Sequence, residues 1–184
     1  MKRKVMASLA AAVLLMVGGL AGCSNPAEES EKAAVCFVVA NTANSKGLNF
    51  SSPLVQDAIY SAIRGYGYIS VVNVDESPEV VFNHSCDIPD KYKNASSAKL
   101  ETDAQTNAAE FTAYIQSVVA DAPEVDYLEG LYAAVRSLSS LEGYDSKTII
   151  VLGTGVGTCG ALNLQNNLLS ADPEEVVELL SERD

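Results

Sequence analysis

The chain has 184 residues, with 12 Lys and Arg set against 24 Asp and Glu, giving a formal net charge of −12. At 48% apolar and 20% charged residues it is too hydrophobic to stay disordered, and its length fits one domain with a sizeable core. A pI near 4.4 argues against nucleic acid, whose phosphates require clustered Lys and Arg, and a single histidine, His84, rules out a Cys₂His₂ zinc site and leaves any His-based triad dependent on that one residue.

Lys2, Arg3 and Lys4 form a basic start, followed by an apolar run from Val5 to Leu20. At about 16 residues the run is shorter than the ~20 that span hydrocarbon. It ends in Leu20-Ala21-Gly22-Cys23, which resembles the lipobox of bacterial lipoproteins. That resemblance implies cleavage before Cys23 and acylation of its thiol and new amine, so residues 1–22 read as a lipoprotein signal peptide. Two or three acyl chains hold a protein on a bilayer where a single chain grips only marginally. Removing residues 1–22 takes away three cations and leaves 9 basic against 24 acidic residues, a net −15. Anionic lipid repels such a chain, so the acyl groups are expected to be what anchors it on the extracytoplasmic face. Residues 23–32, with Pro26 and no periodicity, read as a flexible tether.

The domain is expected over residues 33–184. Ala34 to Ala40 (AVCFVVA) is a continuous β-branched run, the pattern of a strand buried on both faces. A polar loop over Asn41 to Asn49 follows. Ser52-Pro53 then opens a helix in which Leu54, Ala58, Ile59 and Ile63 recur at helical spacing, and Gly65 and Gly67 stop it. Tyr68 to Val74 and Glu79 to Asn83 read as strands joined by a turn short enough for an antiparallel hairpin. Ser85 to Lys99 reads as irregular. Asp103 to Ala120 reads as a helix with Ala108, Phe111, Ile115, Val118 and Val119 on one face. Asp126 begins another, carrying Leu128, Leu131, Tyr132, Val135 and Leu138. Lys147 to Leu152 reads as a second fully buried strand. A glycine-rich loop, Gly153 to Gly160, and a turn over Leu162 to Leu169 follow, and Asp172 caps a last helix running to Leu180. Buried strands alternating with helices predict a three-layer α/β fold, its sheet mostly parallel with one antiparallel hairpin strand.

The segments DYLEGLYAAVRSL (126–138), KTIIVLGTGVGTCGALNLQNNLL (147–169) and ADPEEVVELL (171–180) resemble von Willebrand factor A-like domains. They are similar in particular to those of bacterial envelope lipoproteins that are sometimes paired with an OmpA-like domain, of which no trace is present. The resemblance covers residues 34–181. It implies further strands beyond the last helix, so the domain is expected to be incomplete or minimal, with an open sheet edge.

The same resemblance implies a site above the carboxyl ends of the strands. Metal-binding relatives hold Mg²⁺ or Ca²⁺ there on an Asp, two Ser at alternate positions, a Thr and a second Asp. In this chain Asn41 stands where the first Asp is sought, Thr42 and Ser45 offer hydroxyls at a different spacing, and Gly153-Thr154-Gly155 lacks the second Asp. A polar loop without a cofactor is therefore expected, with Asn41, Thr42 and Ser45 the weak metal candidates and Asp75, Thr102, Asp103 and Asp145 the outlying oxygen donors.

The glycine loop matches a dinucleotide fingerprint at Gly153 and Gly155, but its sixth position is Thr158 and no Lys follows, so no nucleotide is expected. His84, Ser85 and Cys86 are near neighbours that point apart on an extended chain, which argues against a Cys–His pair. A hairpin would bring the end of the third strand to the edge where the first begins, favouring a Cys36–Cys86 disulfide with Cys159 free; a reduced Cys36 in the core fits equally.

The reading that follows is a lipid-anchored, non-enzymatic module that binds an envelope or extracellular protein. Its binding loops are Asn41, Thr42 and Ser45 on one side and Gly153, Thr154 and Gly155 on the other. The alternatives are an envelope hydrolase using Ser or Cys159, and a solute-binding lipoprotein, for which about 150 residues are few.

Overall fold

The computed structural model describes residues 31–42, 52–87, 95–119, 123–165 and 172–181. Cys23, the tether up to Ser30, Ser45 and residues 166–169 of the expected turn lie outside the described residues. Eight elements follow in order: β1 Ala33–Val39, α1 Pro53–Arg64, β2 Tyr68–Asn73, β3 Glu79–Ser85, α2 Ser97–Ser117, α3 Tyr127–Ser139, β4 Ser146–Leu152 and α4 Pro173–Ser181.

The strands form one sheet in the order β3-β2-β1-β4, with β1 parallel to both β2 and β4 and β3 antiparallel to β2. This is the mixed α/β sheet, with its one hairpin strand, that the sequence pattern predicts. β1 is the central strand, buried from Ala34 onward, because its β-branched and small side chains pack on both faces. Val35, Phe37 and Val39 point to one face, where Val55, Ile59 and Ala62 of α1 and Ala108 and Ile115 of α2 cover them. Ala34, Cys36, Val38 and Ala40 point to the other face, under Tyr127, Ala133, Ala134 and Leu138 of α3. Helices therefore sandwich the sheet in three layers. Phe82, Phe111 and Tyr114 add an aromatic cluster to the first core, with the Phe82–Phe111 centroids 5.1 Å apart.

Local signals explain the helix starts. The Ser52 hydroxyl accepts from the Val55 N–H with Pro53 in the first turn, Ser96 does the same for Lys99, and the Asp126 carboxylate accepts from Glu129 N–H at 3.0 Å. Ser96 caps α2, which begins at Ser97, six residues before the expected Asp103, so Ser97 to Lys99 are helical rather than irregular.

Three expectations are corrected. β4 is not buried on both faces: it is an edge strand, and Val151 is 43% exposed, because among the described residues no strand pairs with its outer side. The apolar stripes hold only in part. Ile59, Ala108, Ile115, Val118 and Leu138 are buried as expected, but Leu54, Val119, Tyr132 and Val135 are exposed, and Val55 and Ala62 of α1 and Gly130, Ala133 and Ala134 of α3 are buried instead. A Cβ on Gly130 would stand 2.7 Å from Val74 Cγ2, so small residues let α3 lie close on the sheet. Finally, Cys36 and Cys86 are both free thiols, one packed in the α3-side core and the other in the α1/α2-side core. With the sheet between them, the expected Cys36–Cys86 bridge does not form in this structure.

Candidate functional site

In an open α/β sheet the ligand crevice opens at the carboxyl ends of the strands, where successive connections leave to opposite faces. Here that point lies between β1 and β4. The connection out of β1 runs through α1 on one face, whereas β4 is entered from α3 on the other. The two strand ends stay together: Ala40 N–H donates to Leu152 C=O at 2.9 Å, so the Asn41–Thr42 and Gly153–Thr154 segments leave the sheet side by side. These are the two loops singled out from the sequence.

The geometry divides their residues between structural and available roles. Asn41 Nδ2 donates to the Val118 carbonyl at 2.8 Å, tying the first loop to the end of α2. Thr42 is buried and hydrogen-bonded. Thr154 is exposed, and its hydroxyl accepts from Val156 N–H at 3.3 Å. Gly153 sits directly on Tyr127: a Cβ there would overlap the Tyr127 hydroxyl and press on Ala40. That hydroxyl is buried without a hydrogen-bond partner, at the very point where β1 and β4 end. Asn73, last residue of β2 and register partner of Val39, carries a second buried orphan, Oδ1. Asn73 alternates with Val72 and Val74, which pack toward α3, and so points toward α1 and α2. Buried polar atoms without partners are uncommon and costly, about 1–3 kcal/mol each. Two of them at one end of one sheet mark it out.

The rest of the glycine loop is pinned to the segment entering α3. Thr158 N–H donates to the Val125 carbonyl at 2.8 Å, and Val125 N–H returns a bond to Thr158 Oγ1 at 2.8 Å. Gly160 has φ +73°, and a Cβ there would strike the Asp126 carboxylate, so only glycine passes this turn. Cys159 lies beside the same segment. Burial, then Asp126, Glu124, Glu76 and Asp75, push its thiol above the ordinary range, so it stays protonated. A thiol held in that state among carboxylates is a poor nucleophile. The four carboxylates give this end of the sheet a negative rim.

Of the outlying oxygen donors, only Asp75 is at this end. Asp145 is at the opposite end, where its carboxylate accepts from Lys32 N–H at 2.8 Å and its neighbour Ser146 pairs with Ala33. Thr102 and Asp103 belong to the early turns of α2, Thr102 bonding the Ala98 carbonyl and Asp103 pairing with Lys99. Among the described residues no group of three His, Cys, Asp or Glu is placed to hold a metal ion. Nor, among them, is any helix long and apolar enough to cross a membrane.

Two features escaped the sequence. Tyr127 reads there as one more aromatic at a helix start, and nothing local signals an unpaired hydroxyl. His84 and Cys86 do not point apart: two residues apart on an extended strand, they share a face and line one cleft with Phe82 and Asp87. The spacing of two was the signal for that.

Comparison with known proteins finds no matching family, and no curated protein or solved structure is significantly similar to the chain.

Proposed function

We propose that the chain is a bacterial lipoprotein, acylated at Cys23, whose von Willebrand factor A-like domain binds an envelope or extracellular protein at the carboxyl end of its sheet. The observation that carries this reading is the junction where β1 and β4 end and their two loops leave side by side, with the buried Tyr127 hydroxyl unpartnered beneath Gly153. The negative rim of Asp75, Glu76, Glu124 and Asp126 favours a basic segment on the partner and speeds its approach. Acylation supplies the anchor and the tether gives the domain reach.

The test has two parts. The intact mass of protein extracted from its host membrane is expected to begin at Cys23 with acyl chains, and Cys23→Ser is expected to release the chain from the membrane. Cross-linking in intact cells, quantified for wild type and for Asp75→Lys with Glu76→Lys, is expected to show a partner whose yield drops at least about tenfold in the charge-reversed protein. Equal yields from both proteins would remove the carboxyl end as the recognition surface.

A further inference from the structure

A second cleft, of about 310 Å³, opens far from the carboxyl-end loops, between α1, α2 and the β2–β3 hairpin. That volume is at the lower bound of ordinary small-ligand sites. Ile63, Ile69, Phe82 and Phe111 supply its apolar walls, and the two rings stand 5.1 Å apart at 56°. The open side carries exposed His84, Asp87 and Asn107. Cys86 completes the lining, its backbone N–H fixed to the Gly67 carbonyl at 2.8 Å.

Among the described residues no Lys or Arg lines this cleft, and Asp87 is the one carboxylate there. That carboxylate is held by the Ser85 hydroxyl, which donates to Oδ2 at 2.8 Å. An aromatic face attracts a cation within about 6 Å of its centroid, and a carboxylate at the mouth adds a charge-assisted hydrogen bond. The chain's overall charge of −12 raises the local concentration of cations further. An anion would meet the Asp87 carboxylate with no Lys or Arg beside it among the described lining residues.

We propose that this cleft binds a small organic cation with an aromatic or branched apolar body, the body against the wall of Ile63, Ile69, Phe82 and Phe111 and the ammonium at Asp87. The site is independent of the carboxyl-end loops, so either stands if the other falls.

Two probes of matched shape and opposite charge, 2-phenylethylammonium and 3-phenylpropanoate, test it by NMR titration of the full-length chain. The ammonium is expected to shift the resonances of Phe82, Phe111 and Cys86 and to bind at least about tenfold tighter than the carboxylate. Asp87→Asn, which keeps an oxygen for Ser85, is expected to erase most of that ratio. Asn107→Trp, on the exposed lip of α2, is expected to block both probes while leaving the fold intact. Equal binding of the two probes, an ammonium affinity unchanged in Asp87→Asn, or shifts confined to another part of the chain would each overturn the proposal.

Discussion

Gly153 and Tyr127 separate what the fold requires from what it leaves free. A methyl group on Gly153 has to displace the Tyr127 ring or the strand ends, so Gly153→Ala is expected to cost about 1–3 kcal/mol in urea denaturation. Tyr127→Phe removes a buried hydroxyl that bonds nothing in the fold, so stability is expected to hold or to rise by up to about 1 kcal/mol. The pair together should recover part of the Gly153→Ala loss, since the atom that the new methyl meets is gone. If the hydroxyl is a recognition group, Tyr127→Phe lowers partner cross-linking while the urea midpoint stays put. A drop in both would make the hydroxyl a structural element instead. Asn41 behaves in the opposite way. The sequence marks it as a ligand candidate because of its place after a buried strand, but its amide is spent on the Val118 carbonyl. Place in the chain was legible for both residues, whereas hydrogen-bond partners depend on which helix end arrives from elsewhere.

At the scale of elements, the strands and helices were readable because each carries its own period or cap, and β1 could be identified as central from its unbroken apolar run. β4 carries the same kind of run, Lys147-Thr148-Ile149-Ile150-Val151-Leu152, yet it forms the sheet edge. Composition states what a strand tolerates on its faces, while its neighbours are a property of the whole topology. α3 misleads for a related reason. Its large apolar residues Tyr132 and Val135 suggest a core stripe, but between Tyr127 and Leu138 at its two ends the helix buries only small ones, Gly130, Ala133 and Ala134. The two orientations predict opposite mutational effects. Ala134→Leu, at a position with no exposed surface, is expected to overpack the α3–sheet layer and cost about 1–3 kcal/mol. Val135→Lys and Val151→Lys, both at exposed positions, are expected to stay within about 0.5 kcal/mol of wild type. A β4 edge with a lysine is also expected to reduce self-association in sedimentation runs, since charge on an edge strand blocks pairing with another copy. A large loss for Val135→Lys would place that side chain in the core and overturn the packing described here.

For the molecule as a whole, stability rests on its two apolar layers rather than on charge pairs. The ion pairs Arg64–Glu101, Lys99–Asp103 and Arg136–Glu129 are all substantially exposed, and pairs of that kind contribute at most about 1 kcal/mol each. Response to acid is accordingly modest. The Tyr60 hydroxyl, donating to Glu101 at 2.7 Å, holds that carboxyl below its usual range. Its contribution is present above the ordinary carboxylate range and fades as the pH falls through the lowered value. Response to alkali is set by the thiols of Cys36, Cys86 and Cys159 together with Tyr60, whose hydroxyl the Glu101 carboxylate holds above its ordinary range. Burial, reinforced by Asp87, pushes Cys86 up from 9.0 to about 11. Below pH 9 both the folded and the unfolded chain hold this proton. Between 9 and 11 the unfolded chain releases it while the folded chain does not, so each step upward favours unfolding until both forms are thiolate. Allowing for the partial exposure of Cys86, the loss from this one thiol should not exceed about 2 kcal/mol. Urea midpoints at pH 7, 9 and 11, under reducing conditions, are expected to fall above pH 9 in the wild type and to fall less steeply in Cys86→Ala. Because that variant also leaves a small cavity, the comparison is between the slopes and not the absolute stabilities. Cys36 and Cys159, whose thiols are raised as well, keep part of the alkaline decline in the variant. Parallel slopes for the two proteins would mean that the Cys86 thiol meets the same environment in the folded chain as in the unfolded one, and the cleft it lines would then be open to water.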